Sequence, residues 1–392
     1  MGSHGPEVFA ANGKDETEAS AIKRNSDDNH QTVDVGDAKR LRTPDSHSEV
    51  DTLESNDHVS RGLDADPGDG IGMPENCAST GNALKSKQSA SPETYAVDHF
   101  GRTLPCENGL QDLDDVYVLR TKVLCETLRV LQGQMAHFHD LAKKNMQRWK
   151  EEAKTKSSAT NGADGQLTIV IEPGDWGEVT GKLTAEWGQT FAVLNMANAY
   201  CPGGGYVEGC PAQEENMFRR TDCHFSIPRA DLDEEELYIP AQTELLNAVH
   251  GRVYLDANRP RVCVRGREEA GAPGLGYRWL SDDQIFPFYE LRAAAKDLRD
   301  GSRFDVEDLR RRVRAQLQTL REANIRHVVL SAFGCGAFKN PAKKVATVYK
   351  EEIDAVREHF DCVAFAIFAP GYGPDNYTPF KRVFETETDE ST

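Results

Sequence analysis

TFAVLNMANAYCPGGGYVEGCPAQEENMFRR, residues 190 to 220, reads as a buried strand, a glycine-rich loop and the start of a helix, and it decides the architecture of the chain. An apolar run as short as 190 to 196 suits a strand covered on both faces. The helix begins near Gln213. A unit of this kind belongs to an α/β sheet flanked by helices, where ligands collect at the C-terminal ends of the strands.

The same alternation continues on either side. LTIVIE (167 to 172), HVVLSAF (327 to 333) and CVAFAIFA (362 to 369) read as further buried strands, and RVCVRG (261 to 266) is strand-like. Leu309, Val313, Leu317 and Leu320 mark one helix, and Val345, Tyr349, Ile353 and Val356 another, with Asn340 and Pro341 suited to its N-cap and first turn. Between 223 and 302 the topology stays open, with a helix candidate from Phe286 to Asp297. Upstream, residues 113 to 156 form a helical extension on which Val116, Leu119, Val123, Leu124, Leu128 and Leu131 recur every three or four residues, ended by SSATNGADG.

The first 108 residues differ in kind. No Phe, Tyr or Trp occurs between Phe9 and Tyr95, and residues 1 to 100 carry 9 Lys+Arg against 19 Asp+Glu. Such a segment buries too little apolar surface to offset the entropy of ordering, so a disordered acidic tail is expected over 1–108, ahead of a folded α/β domain over 109–385 and a flexible C-terminus over 386–392. Lys23-Arg24 and the run from Lys39 to Arg42 have the spacing of a bipartite import signal, as do chance basic clusters in solvated tails. The formal net charge of -18 disfavours binding to duplex nucleic acid. Nine scattered cysteines without a Cys-x-x-Cys pair suit buried thiols in a reducing compartment. With no run of 18 apolar residues and no apolar leader, the chain reads as intracellular, in nucleus or cytoplasm, without a membrane partner.

Two loops could carry chemistry. In the first, the strand delivers Asn195 and Asn198 to its end, and Gly203, Gly204 and Gly205 could form a backbone cradle for a diphosphate, or only a surface turn. Gln213, Glu214 and Glu215 follow; hydrolysis of a glycosidic bond needs a carboxyl that protonates the leaving oxygen, although two acids in a first helical turn also simply complement the helix dipole. In the second, Gly334-Cys335-Gly336 sits between strand and helix, as a phosphate loop or as a packing turn. Two such loops, one joined to carboxylates, suggest two walls of one pocket for a molecule with two phosphates. Cys335 has no assignable histidine partner as a nucleophile, Cys223-His224 reads as structural, and the eleven histidines show no metal-ligand spacing.

These residues resemble the macrodomain-fold poly(ADP-ribose) glycohydrolases, particularly the microbial-type group, whose hallmark is three glycines, a short spacer and Gln-Glu-Glu. Here the spacer is the seven residues from Tyr206 to Ala212, Asn198 stands five residues before the triplet, and GCGAF follows at 334 to 338. The resemblance covers roughly residues 113 to 385 and implies a macrodomain-like mixed sheet flanked by helices, a place in ADP-ribosylation and the DNA damage response, and a mechanism without metal or other cofactor. It implies that Glu215 donates the proton, that Glu214 and Asn198 hold the ribose with Phe218 packed against it, and that Gly203, Gly204, Gly205, Gln213, Gly334, Cys335, Gly336, Ala337 and Phe338 contribute to substrate binding. Phe368, Tyr372 and Tyr377 are candidates to stack on adenine. Cys201, Cys210 and Pro211 around the loop depart from the bare motif. The expected partner of the monomer is poly(ADP-ribose) or an ADP-ribosylated protein. A non-catalytic ADP-ribose reader, and a hydrolase that removes single ADP-ribose units from protein or DNA, are the competing readings.

Overall fold

The computed structural model of the chain describes residues 96–97, 103–104, 116–159, 166–369, 371 and 373–385. The import signal and most of the expected tail lie outside the described residues, as do 386–392. Within the stretch read as tail, Ala96–Val97 pairs antiparallel with Thr103–Leu104.

The main body follows the order α1 (Val116–Ala159), β1 (Thr168–Pro173), α2 (Trp176–Trp187), β2 (Ala192–Met196), α3 (Gln213–Arg220), α4 (Pro240–Leu246), β3 (Tyr254–Leu255), β4 (Arg261–Cys263), β5 (Phe286–Ala293), α5 (Val306–Glu322), β6 (His327–Leu330), α6 (Ala342–Asp354), β7 (Cys362–Ile367) and α7 (Tyr377–Glu385). Across the sheet the strands run β1-β7-β6-β2-β5-β3, parallel from β1 to β5, with β3 and β4 both antiparallel to β5. This is the α/β sheet flanked by helices expected from the sequence.

The period of two in the strands sorts the core into two layers. Ala192 and Leu194 on β2, with Val363, Phe365 and Ile367 on β7, face a cluster that α5, α6 and α7 complete. The alternate residues Phe191, Val193, Cys362, Ala364 and Ala366 face the layer of α2 and α3, into which Leu124 and Leu128 of α1 also pack. The apolar stripe on α1 thus has a partner, and the helix lies against α2, α3 and β5. It bends at Gln134, where φ is -133° and ψ 18°.

Two expectations fail here. The helix candidate from Phe286 to Asp297 is instead strand β5 over Phe286–Ala293. Its Glu, Leu, Arg and Ala favour a helix, but a central position between β2 and the β3/β4 edge overrides that weak preference. In a strand, positions two apart share a face, so Glu290 and Arg292 meet in a buried ion pair of 2.6 Å. Asn340, expected to cap α6, makes no capping bond; Pro341 occupies that position, and the Asn340 amide Nδ2 donates to the carbonyls of Lys296 (2.9 Å) and Gly334 (3.1 Å).

Asp175 locks the two helices on the site side of the sheet. Its Oδ1 caps α2 by accepting from the Gly177 and Glu178 N–H groups, and both its oxygens accept from Nη1 of Arg220, at the end of α3, at 2.8 Å. Asp175 and Arg220 are buried, and the guanidinium stacks 4.6 Å over the Trp176 ring. Asp175→Ala strands that charge inside the protein and should cost about 3–5 kcal/mol in urea denaturation. Arg267→Ala removes an ion pair with Glu178 that water already surrounds, and should cost no more than about 1 kcal/mol in the same measurement.

Candidate active site

Strand β2 leaves the sheet at Met196. Ala197 N–H still reaches the Ala293 carbonyl of β5 at 2.9 Å, but Asn198 turns the chain away, its Oδ1 accepting from the N–H groups of Tyr200 (2.8 Å) and Cys201 (2.9 Å). The glycine triplet follows, with φ of +75° at Gly203 and +57° at Gly204, values that glycine adopts without steric cost. The absence of side chains matters as much. A Cβ on Gly203 would lie 2.7 Å from the Tyr206 ring and 2.8 Å from that of Phe218, and one on Gly204 would strike the Glu215 carboxyl.

The helix that carries the acids is tied to the strand by Gln213. Its Oε1 accepts from Met196 N–H and its Nε2 donates to the Leu194 carbonyl, both at 2.9 Å. Both ends of the amide are spent on β2, so Gln213, expected among the substrate-binding residues, fixes the start of the helix that carries the acids. Phe218 is fully buried and packs 4.9 Å from the Tyr206 ring beneath Gly203, which makes it the floor of the loop.

Glu214 and Glu215 are 3% and 9% exposed. Each is anchored by one oxygen: Oε2 of Glu214 accepts from Asn198 N–H at 2.7 Å, and Oε1 of Glu215 from Gly205 N–H at 3.1 Å. The other oxygens, Oε1 of Glu214 and Oε2 of Glu215, are buried without a hydrogen-bond partner. A buried carboxyl left half-satisfied costs free energy and calls for a functional explanation. Burial raises the proton affinity of both above the ordinary carboxylate range, with the Glu215 charge adding to the effect at Glu214. For Glu215 the Gly205 N–H and the Arg219 charge oppose that rise. The pair therefore offers what protonation of a leaving oxygen requires, a carboxyl whose proton affinity burial has raised and a free oxygen to present the proton.

Of the anion cradle expected of the triplet, Gly203 N–H is given to no acceptor among the described residues, while its two neighbours are occupied. Gly204 N–H donates to the Cys201 carbonyl and Gly205 N–H to Glu215, so these two amides brace the loop and the acid. Open amides occur in the second loop, where Gly336, Ala337 and Phe338 give their N–H groups to no acceptor among the described residues. That loop leaves β6, which pairs in parallel with β2 through Ala192 and Val328, so both loops emerge at the same edge of neighbouring strands. Gly334, at φ +70°, is hemmed in by Ala295 and Asn340, each 2.6 Å from where a Cβ would sit. Gly336 and Ala337 are exposed.

Cys335 belongs to the frame of this loop. It is 1% exposed and its N–H donates to the Ala332 carbonyl, and burial pushes its thiol up to about 12, so it stays protonated and unreactive at neutral pH. Cys335→Ala should leave turnover within about twofold of the wild type, and iodoacetamide should not label this position in the folded protein.

Asn195 does not reach the pocket: its Nδ2 donates to Glu290 at 2.8 Å, in the buried layer beneath the acids. Phe368, just beyond β7, is 49% exposed and available for stacking, Tyr377 is half-buried at the start of α7, and Tyr372 lies outside the described residues. A cleft of about 410 Å³ against α5 is a different place, lined by Arg252, Arg310, Arg311 and Arg314. Its arginines are already paired, Arg310 and Arg314 with Glu352 and Arg252 with Glu322, and it holds no buried acid. Among the described residues no group of three His, Cys, Asp or Glu could hold a metal ion, and no helix is long and apolar enough to cross a membrane.

Residues 126–248, which hold the glycine triplet and both acids, match the family model of the microbial-type PARG catalytic domain. Among solved structures, poly(ADP-ribose) glycohydrolase from Thermomonospora curvata bound to the inhibitor ADP-HPD is 20% identical, with 67% of this chain and 98% of that one covered at a TM-score of 0.46. The enzyme from Deinococcus radiodurans in complex with ADP-ribose is 21% identical, with 64% and 97% covered and a TM-score of 0.41. No curated protein matches the chain. Over residues 126–248, then, this chain carries the match to the microbial-type PARG catalytic domain, the family that its triplet and Gln-Glu-Glu run resemble.

Proposed function

We propose that this protein hydrolyses the ribose–ribose bond of poly(ADP-ribose) and releases ADP-ribose. The observation that carries the reading is the pair of buried acids, each anchored through one oxygen by a backbone N–H of the glycine-loop region and open at the other. A reader of ADP-ribose needs no such pair, because binding alone gives nothing back for burying two carboxyls.

In the proposed reaction Glu215 enters protonated. The bond between the anomeric carbon and the bridging oxygen breaks, its electron pair stays on that oxygen, and the Glu215 proton follows it to give the free ribose hydroxyl. Water adds to the oxocarbenium-like carbon and returns a proton to Glu215. Glu214 accepts from ribose hydroxyls through its open oxygen, while Asn198, whose Oδ1 is committed to its turn, offers only its Nδ2. The open amides of 336 to 338 receive the diphosphate. The exposed ring of Phe368 stacks on adenine. No residue of this mechanism calls for a metal or other cofactor.

The domain is read as a macrodomain-type unit that acts as a monomer, with residues 1–108 dispensable for chemistry and the Lys23 to Arg42 cluster serving nuclear import. Its partners are poly(ADP-ribose) and ADP-ribosylated proteins rather than duplex nucleic acid. The deciding experiment offers the purified chain three leaving groups: poly(ADP-ribose), mono-ADP-ribosylated protein and ADP-ribosylated DNA ends. Release of ADP-ribose from the polymer, faster than from the other two, supports the reading. Preference for either single-unit substrate replaces it with the corresponding mono-ADP-ribosyl hydrolase, and tight binding of ADP-ribose with no release from any of them makes the protein a reader.

A further inference from the structure

Arg219 is the residue of the site that the reading above leaves unused. It lies four residues beyond Glu215 on α3, on the same helical face, and is fully buried. Its Nε donates to the Tyr277 hydroxyl at 3.0 Å, its Cζ sits 5.7 Å from that ring, and its Nη1 and Nη2 are buried without an acceptor. Two unanswered donors on a buried cation are costly, and the arrangement is not a by-product of loose packing, because the tether is elaborate. The Tyr277 hydroxyl donates to Glu268 at 2.7 Å while accepting from Arg219 and from Asn216 Nδ2 at 3.1 Å. Glu268 is in turn held by both Nε and Nη2 of Arg120, at 2.9 and 2.8 Å. From the same helix α1, the Thr127 hydroxyl donates to the Arg219 carbonyl at 2.9 Å.

The backbone records the same constraint. Tyr277 has φ of +42°, a left-handed conformation that costs an aromatic residue about 1–3 kcal/mol and persists only where its surroundings enforce it. The segment holding it is pinned by Tyr277 N–H to the Arg267 carbonyl (3.0 Å) and by Gly266 N–H to the Arg278 carbonyl (2.8 Å). Strain is thus spent on placing one hydroxyl, and that hydroxyl aims one guanidinium.

We propose that Arg219, steered by Tyr277, is a positioning residue for Glu215: its guanidinium supplies a buried positive charge one helical turn from the proton donor and stabilises the carboxylate left after the proton departs. The inference rests on the reading of Glu215 as that donor. Without the charge, proton transfer to the leaving oxygen would create a bare anion in a site that excludes water, and the step would slow with little change in ground-state binding. Glu268 feels the Arg219 charge as Glu215 does, but Arg120 takes both Glu268 oxygens and the Tyr277 hydroxyl stands between, so neither Nη group of Arg219 is answered by Glu268. The other groups that face Glu215 are Glu214 on its own helix and Glu208 and Cys210 on the glycine loop; Glu208 raises its proton affinity as burial does, while Gly205 N–H and Arg219 lower it.

The test compares Arg219→Met, Arg219→Lys and Tyr277→Phe in the full chain, with two readouts. The first is turnover of poly(ADP-ribose). Arg219→Met should lower kcat about 100-fold with KM within about threefold, Arg219→Lys should recover part of the loss through its charge, and Tyr277→Phe, which keeps the ring and loses only the tether, should lower kcat about tenfold. The second needs no turnover: the carboxyl 13C titration of Glu215, assigned by its absence in Glu215→Gln. Removing a positive charge favours the protonated acid, so the midpoint should move to higher pH by about 0.5 to 1 unit in Arg219→Met and stay near the wild type in Arg219→Lys. An unmoved midpoint in Arg219→Met overturns the inference whatever the kinetics, as does an equal loss of kcat in the Met and Lys variants. Wild-type values of both kcat and midpoint in Tyr277→Phe remove the tether from it. A wild type that releases no ADP-ribose defeats the reading of the site instead, and the 13C titration then still decides whether Arg219 governs Glu215.

Discussion

Glu215→Gln is expected to lower the release of ADP-ribose from poly(ADP-ribose) by about 1,000-fold or more while leaving the affinity for free ADP-ribose within about threefold. The amide is nearly isosteric and its carbonyl oxygen can still accept from Gly205 N–H, so the loop should keep its shape. What the substitution removes is the transferable proton. A general acid alone contributes about 100- to 10,000-fold, and Glu215 is asked in addition to take a proton back from water. The dissociation between turnover and binding is the informative part. It is measured by single-turnover release on one side and calorimetric titration with ADP-ribose on the other. Parallel loss of both would mean that the side chain holds the loop and not the chemistry.

Gly204→Ala should reduce turnover by about 100-fold for a steric reason that leaves the acids chemically intact. At φ +57° an L-residue pays roughly 1–2 kcal/mol, and the new Cβ would strike Oε1 of Glu215 while coming within 3.3 Å of Oε2 of Glu214. Neither carboxyl can step aside freely, since Gly205 N–H holds the first and Asn198 N–H the second. The donor is therefore displaced from its working position, and misplacement of a reacting group by about 1 Å costs about 100-fold. Gly133→Ala on α1 is the control: nothing lies within 4 Å of its added methyl, and turnover should not change. A Gly204→Ala enzyme as active as the control would show that the close approach of backbone and acid is incidental.

How much of this was legible in the sequence follows from the range of the interactions involved. Strands β2, β6 and β7 are visible as apolar runs because helices cover both faces of the sheet, and the two glycine loops show because strand, turn and helix are contiguous in the chain. Strand β5 escapes the same treatment. Its Glu290 and Arg292 look like residues that belong in water until each is seen to neutralise the other inside the protein. The acids are readable from spacing, but their burial is not, since it depends on Asn198 and Gly205 folding back over them. Gln213 and Phe218 stand in the motif yet turn inward, to β2 and to Tyr206, and a motif does not say which way its members point. Arg219 shows one signal, its place four residues after Glu215. Its tether, Tyr277, is 58 residues away in sequence, on a segment with no regular pattern to announce it.

The central claim is that two buried acids beside a glycine loop cleave a glycosidic bond, with Glu215 giving the proton. The most direct measurement is a mass-spectrometric time course of the products formed from poly(ADP-ribose) by the wild type and by Glu215→Gln. The account predicts intact ADP-ribose as the product of the wild type and its near-complete loss in the variant. Products of diphosphate cleavage, or equal release of ADP-ribose by the two proteins, would contradict it.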